Sequence, residues 1–135
     1  MALITWSTDL SVNVKGFDEE HKKLINMVND LHSAMGAGKS KEAMEKILTG
    51  LVDYTKTHFA AEEQLMQKHN YPGYQTHKAQ HVELTTKVVD FQNKLHNGKA
   101  IVSMDVMTFL KDWLSNHIMT IDKKYGPYMN EKGVL

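Results

Sequence analysis

Between His58 and His81 the chain reads HFAAEEQLMQKHNYPGYQTHKAQH, which holds two pairs of metal-ligand type at a spacing of four, His58 with Glu62 and His77 with His81. On an α-helix, residues four apart lie about 40° apart around the axis and one turn along it, so each pair aims two ligand atoms at one point. Asn70-Tyr71-Pro72-Gly73 stands between them. That turn signal reverses the chain and sets the two pincers on neighbouring antiparallel helices, facing each other. Imidazole with carboxylate suits iron, zinc or copper better than calcium or magnesium. One pincer is a common accident in a chain with eight histidines; two across a helical hairpin point to a site.

The elements that must carry these residues follow from apolar periodicity. Leu24, Val28, Leu31 and Met35 form a first stripe, with His21 on the same face and Asp18 as its expected N-cap. A second stripe runs Met44, Leu48, Leu51, Thr55, His58, Glu62, Leu65, a heptad seam whose apolar positions give way to His58 and Glu62. The third runs Tyr74, His77, His81, Leu84, Val88, Phe91, Leu95, and the fourth Val106, Leu110, Trp113 with Leu114, His117 and Ile121. The fourth is expected to end or bend at Gly126-Pro127.

Helices are therefore predicted over about 18–36, 40–69, 74–96 and 103–125, after an extended arm of about 1–16 anchored by Trp6. Short loops between long helices imply an all-α, up-down-up-down antiparallel four-helix bundle, read as a single domain over 1–135.

Composition narrows the chemistry. A chain of 135 residues affords one well-buried core. Lysine plus arginine and aspartate plus glutamate each number 16, so no charge excess favours nucleic acid or an anionic membrane. Cysteine is absent, which excludes disulfides, thiolate nucleophiles and iron–sulfur clusters. No signal segment and no spanning apolar run stands out, so a cytoplasmic protein without membrane insertion is expected.

The residues that interrupt the seams are His21, His58, Glu62, His77, His81 and His117, with Asp122 five positions further on. Burying any of them without a partner costs several kcal/mol. Because alternate helices run in opposite directions, all seven fall at the same end of the bundle. Five imidazoles and two carboxylates are too many for one ion with an open position, and they suit two adjacent ions bridged by the carboxylates. A spacing of five puts His117 and Asp122 about 140° apart on a regular helix. The fourth helix is therefore expected to be locally widened near 117–122, as a π-bulge would do, or Asp122 to reach in from the flank.

These seven residues carry a resemblance to the hemerythrin family. Its pattern is one histidine on the first helix, H-x-x-x-E on the second, H-x-x-x-H on the third and H-x-x-x-x-D on the fourth. As a lone domain with an N-terminal arm bearing a tryptophan, the chain is similar to the bacteriohemerythrins. The resemblance implies a cofactor of two non-heme iron ions. His77, His81 and His117 would hold one and His21 and His58 the other, with Glu62, Asp122 and an oxo or hydroxo group bridging them.

That set leaves an open position at the second iron and implies reversible dioxygen binding, as a carrier, a store or a local supply to an oxygen-consuming enzyme. A mostly neutral imidazole set argues against oxygen cleavage, so the chain is expected not to be an enzyme. A monomer is the expected state. The alternatives are a di-iron peroxide or nitric oxide reductase, an oxygen or redox sensor, and iron storage. Against the reductase, no cysteine and no obvious extra acid or base stands near the site.

Leu24, Ile25, Phe59, Trp113, Leu114 and Ile118, within a turn of the ligands, are the expected wall of a dry dioxygen pocket. The same side chains would serve equally as ordinary bundle core. His32, His69 and His96 are read as surface or helix-end residues, and the nine methionines as core filler.

Overall fold

The structure, a computed structural model, describes residues 3–99 and 104–135. The predicted start of the fourth helix at 103 and the first two residues of the predicted arm lie outside that range. Helix α1 spans Lys15–Gly36, α2 Lys41–Lys68, α3 Tyr74–His96 and α4 Met104–Asn116; a π-helical segment, His117–Asp122, then leads into α5, Lys123–Glu131. Asn116, Asp122 and Lys123 all keep right-handed helical φ and ψ, so α4, the π segment and α5 run on as one rod. The chain is an all-α four-helix bundle. Helix α1 packs on α2 and α4, and α2 on α3.

Leu31, Leu48 and Met107 are completely buried, and Leu24, Val28, Leu51, Leu84, Leu95 and Leu110 nearly so. Each such side chain contributes roughly 1.5–3 kcal/mol by leaving water. This apolar core keeps the helices in register for the polar residues at one end.

The helix ends follow local chemistry. Ser40 caps α2, its hydroxyl accepting from the Ala43 amide at 3.2 Å. After α2, Asn70 takes φ +54, which asparagine tolerates better than most residues, and the Tyr71 amide returns to the Met66 carbonyl at 2.8 Å. The reversal at 70–73 lets His58 and Glu62 face His77 and His81.

The start of α1 differs from expectation. Val14 occupies the N-cap position without a side-chain bond, and Asp18 lies inside the first turn. Its carboxylate is used by the arm instead, accepting from the Ser11 hydroxyl at 2.6 Å and the Val12 amide at 2.8 Å. Trp6 is not the main anchor, since it is half-buried beneath the Lys22 ammonium, 5.1 Å from its ring. Ile4, Leu10, Val12 and Val14 are the buried residues of the arm. Asn29 fastens Ile4 through two hydrogen bonds, at 2.9 and 2.8 Å.

The arm also reaches the last helix. A Cβ on Gly126 would stand 2.3 Å from the Val12 carbonyl oxygen, so only glycine lets the two backbones approach this closely. Helix α5 passes through Pro127 to Glu131 rather than ending there. A proline removes one amide and leaves one carbonyl, that of Lys123, without its usual donor. At Pro127 that loss falls in the opening turns of α5, next to the already widened segment.

Candidate metal centre

Helix α1 brings His21, α2 His58 and Glu62, α3 His77 and His81, and the π segment His117 and Asp122. All seven are buried, none more than 4% exposed. In a π-helix the hydrogen bond spans five residues, so residues i and i+5 lie on one face. His117 and Asp122 occupy the two ends of that repeat, and His117 Nε2 stands 2.9 Å from Asp122 Oδ1.

The inward atoms fall into two groups sharing one carboxylate. Ligand atoms of Glu62, His77, His81, His117 and Asp122 lie within 4.8 Å of one another, and so do those of His21, His58 and Glu62. Glu62 Oε1 is 3.3 Å from His81 Nε2 and 3.4 Å from His58 Nε2, and Glu62 Oε2 is 3.4 Å from His21 Nε2. Asp122 spans the groups too, with Oδ1 2.8 Å from His77 Nε2 and Oδ2 3.1 Å from His21 Nε2.

These contacts are close but are not aligned hydrogen bonds. The Nε2 atoms of all five histidines, together with Glu62 Oε1 and Asp122 Oδ1, are buried with no hydrogen-bond partner. Seven orphaned atoms would each cost more than about 1 kcal/mol if left so. Adjacent donors on one octahedral ion with bonds of about 2.1 Å stand about 3.0 Å apart. Their separations and their common aim fit metal ions held between them.

Electrostatics agree. Burial opposes a charge on His21, yet the carboxylates of Asp122 and Glu62 outweigh it and push its pKa up to about 10. Burial also opposes charge on the two acids, and they repel each other. The imidazoles around them, His58 first for Glu62 and His117 first for Asp122, still hold both carboxyls below the ordinary carboxylate range. Burial, then the Glu62 charge, raises the Tyr125 phenol well above its ordinary value, so it stays a donor.

Four residues absent from the sequence reading hold the ligands from behind. Glu20 Oε1 lies 2.6 Å from His58 Nδ1, Glu63 Oε2 3.0 Å from His81 Nδ1, and Gln80 Oε1 3.2 Å from His117 Nδ1. Tyr125 donates to Glu62 Oε2 at 2.5 Å. The expectation that no further acid stands near the site is corrected by Glu20 and Glu63. They lay in the sequence beside Glu19 and Glu62 as two more helical carboxylates, and only their place next to a ligand or on its flank hinted at the role. Such backing fixes a ligand histidine's tautomer and orientation.

Leu24, Phe59, Trp113 and Leu114 line one internal cavity of about 30 Å³. The Phe59 ring stacks on His81, with centroids 3.7 Å apart, and Trp113 on His117 at 4.5 Å. Ile25 and Ile118 are fully buried, whereas Trp113 is half-buried, but neither isoleucine lines it. Each follows a site-facing residue by one position, about 100° around its helix. His32 and His69 are half-buried, and the His96 side chain is 77% exposed; none of the three joins the site.

Comparison with known proteins agrees with this architecture. The family model of the hemerythrin HHE cation binding domain matches residues 12–129. A bacteriohemerythrin of Methylococcus capsulatus is 42% identical over 131 residues, covering 96% of this chain and 99% of that protein. A myohemerythrin of Sipunculus nudus is 33% identical over 120 residues, 89% of this chain and 88% of that protein. A wild-type hemerythrin crystal structure superposes with a TM-score of 0.90 at 42% identity, covering 93% of this chain and 97% of that one. A bundle that matches from the arm's Val12 to Met129, closed around a buried cluster built to hold cations, places this chain in the hemerythrin family.

Proposed function

We propose that this protein binds dioxygen reversibly at a pair of non-heme irons, as a carrier, store or local supply, without turning it over. Its partners would be dioxygen and an oxygen-consuming enzyme. The observation that carries the reading is the set of seven buried, orphaned donor atoms in two groups joined by Glu62 and Asp122. In this reading His77, His81 and His117 hold one iron and His21 and His58 the other, with the two carboxylates between them. Three imidazoles would serve one iron and two the other, so dioxygen would be taken up on the side of His21 and His58, where the protein offers fewer ligands. An iron pair held there would supply reversible electron transfer to dioxygen.

The chain's own residues supply the rest. Glu20, Glu63 and Gln80 each accept from an Nδ1–H, which commits the His58, His81 and His117 rings to presenting Nε2 inward. The Tyr125 hydroxyl pins Glu62 through Oε2. Leu24, Phe59, Trp113 and Leu114 give the neighbouring cavity an apolar wall, which keeps water from a polar centre that would otherwise attract it.

The chain is one domain over 1–135, acting as a cytoplasmic monomer with no nucleic-acid partner. Equal numbers of acidic and basic residues support the lack of a nucleic-acid partner, and among the described residues no helix is long and apolar enough to cross a membrane.

The test is iron content per chain together with absorption spectra through alternating oxygen and argon. Two irons and bands that return over many cycles are expected. Bleaching, with steady consumption of peroxide or nitric oxide, would replace the carrier with a reductase.

A further inference from the structure

Helices α3 and α4, with Leu48 of α2 at the floor, enclose a second apolar space away from the metal ligands. It is a surface groove of about 300 Å³, walled by Leu48, Val88, Phe91, Val106, Phe109 and Leu110, with Lys87 and Asp105 also lining it. Phe109 is 36% exposed, with the Lys87 ammonium 5.6 Å from its ring centre. Exposed phenylalanine is costly, and here it forms the side of a cleft.

The groove and the internal cavity have two walls in common. Val88 and Leu110 line both. On the far side of that pair the cavity is bounded by Leu24, Phe59, Trp113 and Leu114, two of which stack on ligand imidazoles. A line from solvent to the metal centre thus crosses the groove, with Lys87 and Asp105 at its lining, then the Val88–Leu110 pair and the cavity, whose walls are apolar but for Thr55. The one hydroxyl on the way, Thr55, donates to the Leu51 carbonyl at 2.7 Å. Its proton is already engaged, so the cavity offers water few of the two to four partners it needs. A space of about 30 Å³ exceeds the minimum for one water-sized guest and suits a small apolar one.

We propose that this pair of spaces is the route for dioxygen, with the groove as an outer binding site for small apolar gas and Val88 with Leu110 as the gate. The proposal rests on the dioxygen-binding reading above. A rival route exists on the other side of the bundle. An open cleft of about 250 Å³ between α2 and α3 touches Phe59 and the ligand His81 itself, but Lys56, Glu63, Thr85 and Thr86 line it. Those groups hold water, which suits an aqueous cleft better than a gas path.

The gate has a kinetic signature. A bulkier side chain raises a barrier crossed in both directions, so association and dissociation slow together and affinity stays put. In flash or stopped-flow measurements on the iron-loaded protein, Leu110→Trp should slow both dioxygen rates by about tenfold or more, and Val88→Phe should do the same to a lesser degree. Val82→Trp, on an exposed residue of the rival cleft, should change neither rate. Crystals of the unaltered, metal-free protein under xenon should show the gas in the groove and in the inner cavity. Xenon in neither space, xenon only in the α2/α3 cleft, or rates that respond to Val82→Trp and not to the gate variants, would overturn the route. An iron-loaded protein that takes up no dioxygen would instead sink the functional reading, and the xenon positions would still judge the two cavities.

Discussion

His117 and Asp122 are five residues apart on one helix, and yet the imidazole Nε2 and the carboxylate Oδ1 meet at 2.9 Å. The π segment makes this possible. The carboxylate also faces His21 and His77, so it ties α1, α3 and the fourth rod together at one point. Asp122→Asn keeps the shape and removes the charge. In the metal-free protein it should cost about 3–5 kcal/mol, because the imidazoles lose their buried counter-charge. Iron content should fall from two to one or none. Metal analysis and urea unfolding give the two numbers, and a variant that keeps both irons would remove Asp122 from the ligand set.

The metal-free protein should have an unusual stability profile with pH. His21 has its pKa raised to about 10 from 6.5, so its contribution is complete below pH 6.5 and is lost as pH climbs toward 10. Glu62 and Asp122 are shifted the other way. Their contribution is complete above their ordinary values of 4.5 and 3.8 and is lost as pH falls below them. The maximum should therefore lie between pH 4.5 and 6.5. His21→Ala should flatten the alkaline limb and also soften the acid one, because His21 is among the imidazoles that lower Glu62 and Asp122. Urea midpoints across the pH range test this, and an unchanged alkaline limb in the variant would refute the assignment.

Glu20 should matter to metal affinity although it touches no metal in the proposed site. Glu20→Ala frees the His58 ring to rotate and to change tautomer, and should weaken zinc or cobalt binding about 10- to 100-fold. Glu20→Gln, which still offers an acceptor as Gln80 does to His117, should recover most of that loss. Competition against a chelator measures both; equal losses would mean that charge, not orientation, is what Glu20 supplies.

Leu114→Ala should open the inner cavity beside the ligands at a cost of about 2–4 kcal/mol. Irreversible oxidation of the iron-loaded protein should then accelerate several-fold while iron content holds. Leu31→Ala, about 15 Å further along α1 from His21 and completely buried, should cost similar stability and leave that oxidation rate unchanged. Equal acceleration in both would point to general loosening.

The bundle and the convergence of six of the seven residues were legible because each of the six broke an apolar seam, and a seam is periodic; Asp122 lay off the seam. A spacing of five fits no regular α-helical face, which left a widened segment or a carboxylate reaching in from the flank; the π segment is the first of these. What could not be read was tertiary. Glu20, Glu63 and Gln80 sit on the outer side of the ligand rings, where a helix ordinarily shows carboxylates and amides to water. Tyr125 meets Glu62 only through the fold, from 63 residues away. Asp18 resembled a helix cap, and only the path of the arm turns it into a receiver for Ser11 and Val12. Pro127 signalled a stop, but one missing amide near the beginning of α5 was tolerable.

The contact of Gly126 with the Val12 carbonyl has a consequence for how this protein can be handled. The short 3-10 turn Thr8–Leu10 rests on the π segment, Val12 on α5, and Asn130 donates to the Asn13 carbonyl at 2.9 Å. The first and last stretches of the chain thus form a clasp over the iron-bearing end. Chain ends are normally where trimming and tagging do least harm. Here, shortening the arm past Ser11 would unfasten the same end of the molecule as replacing glycine at 126 would, though neither change touches a ligand.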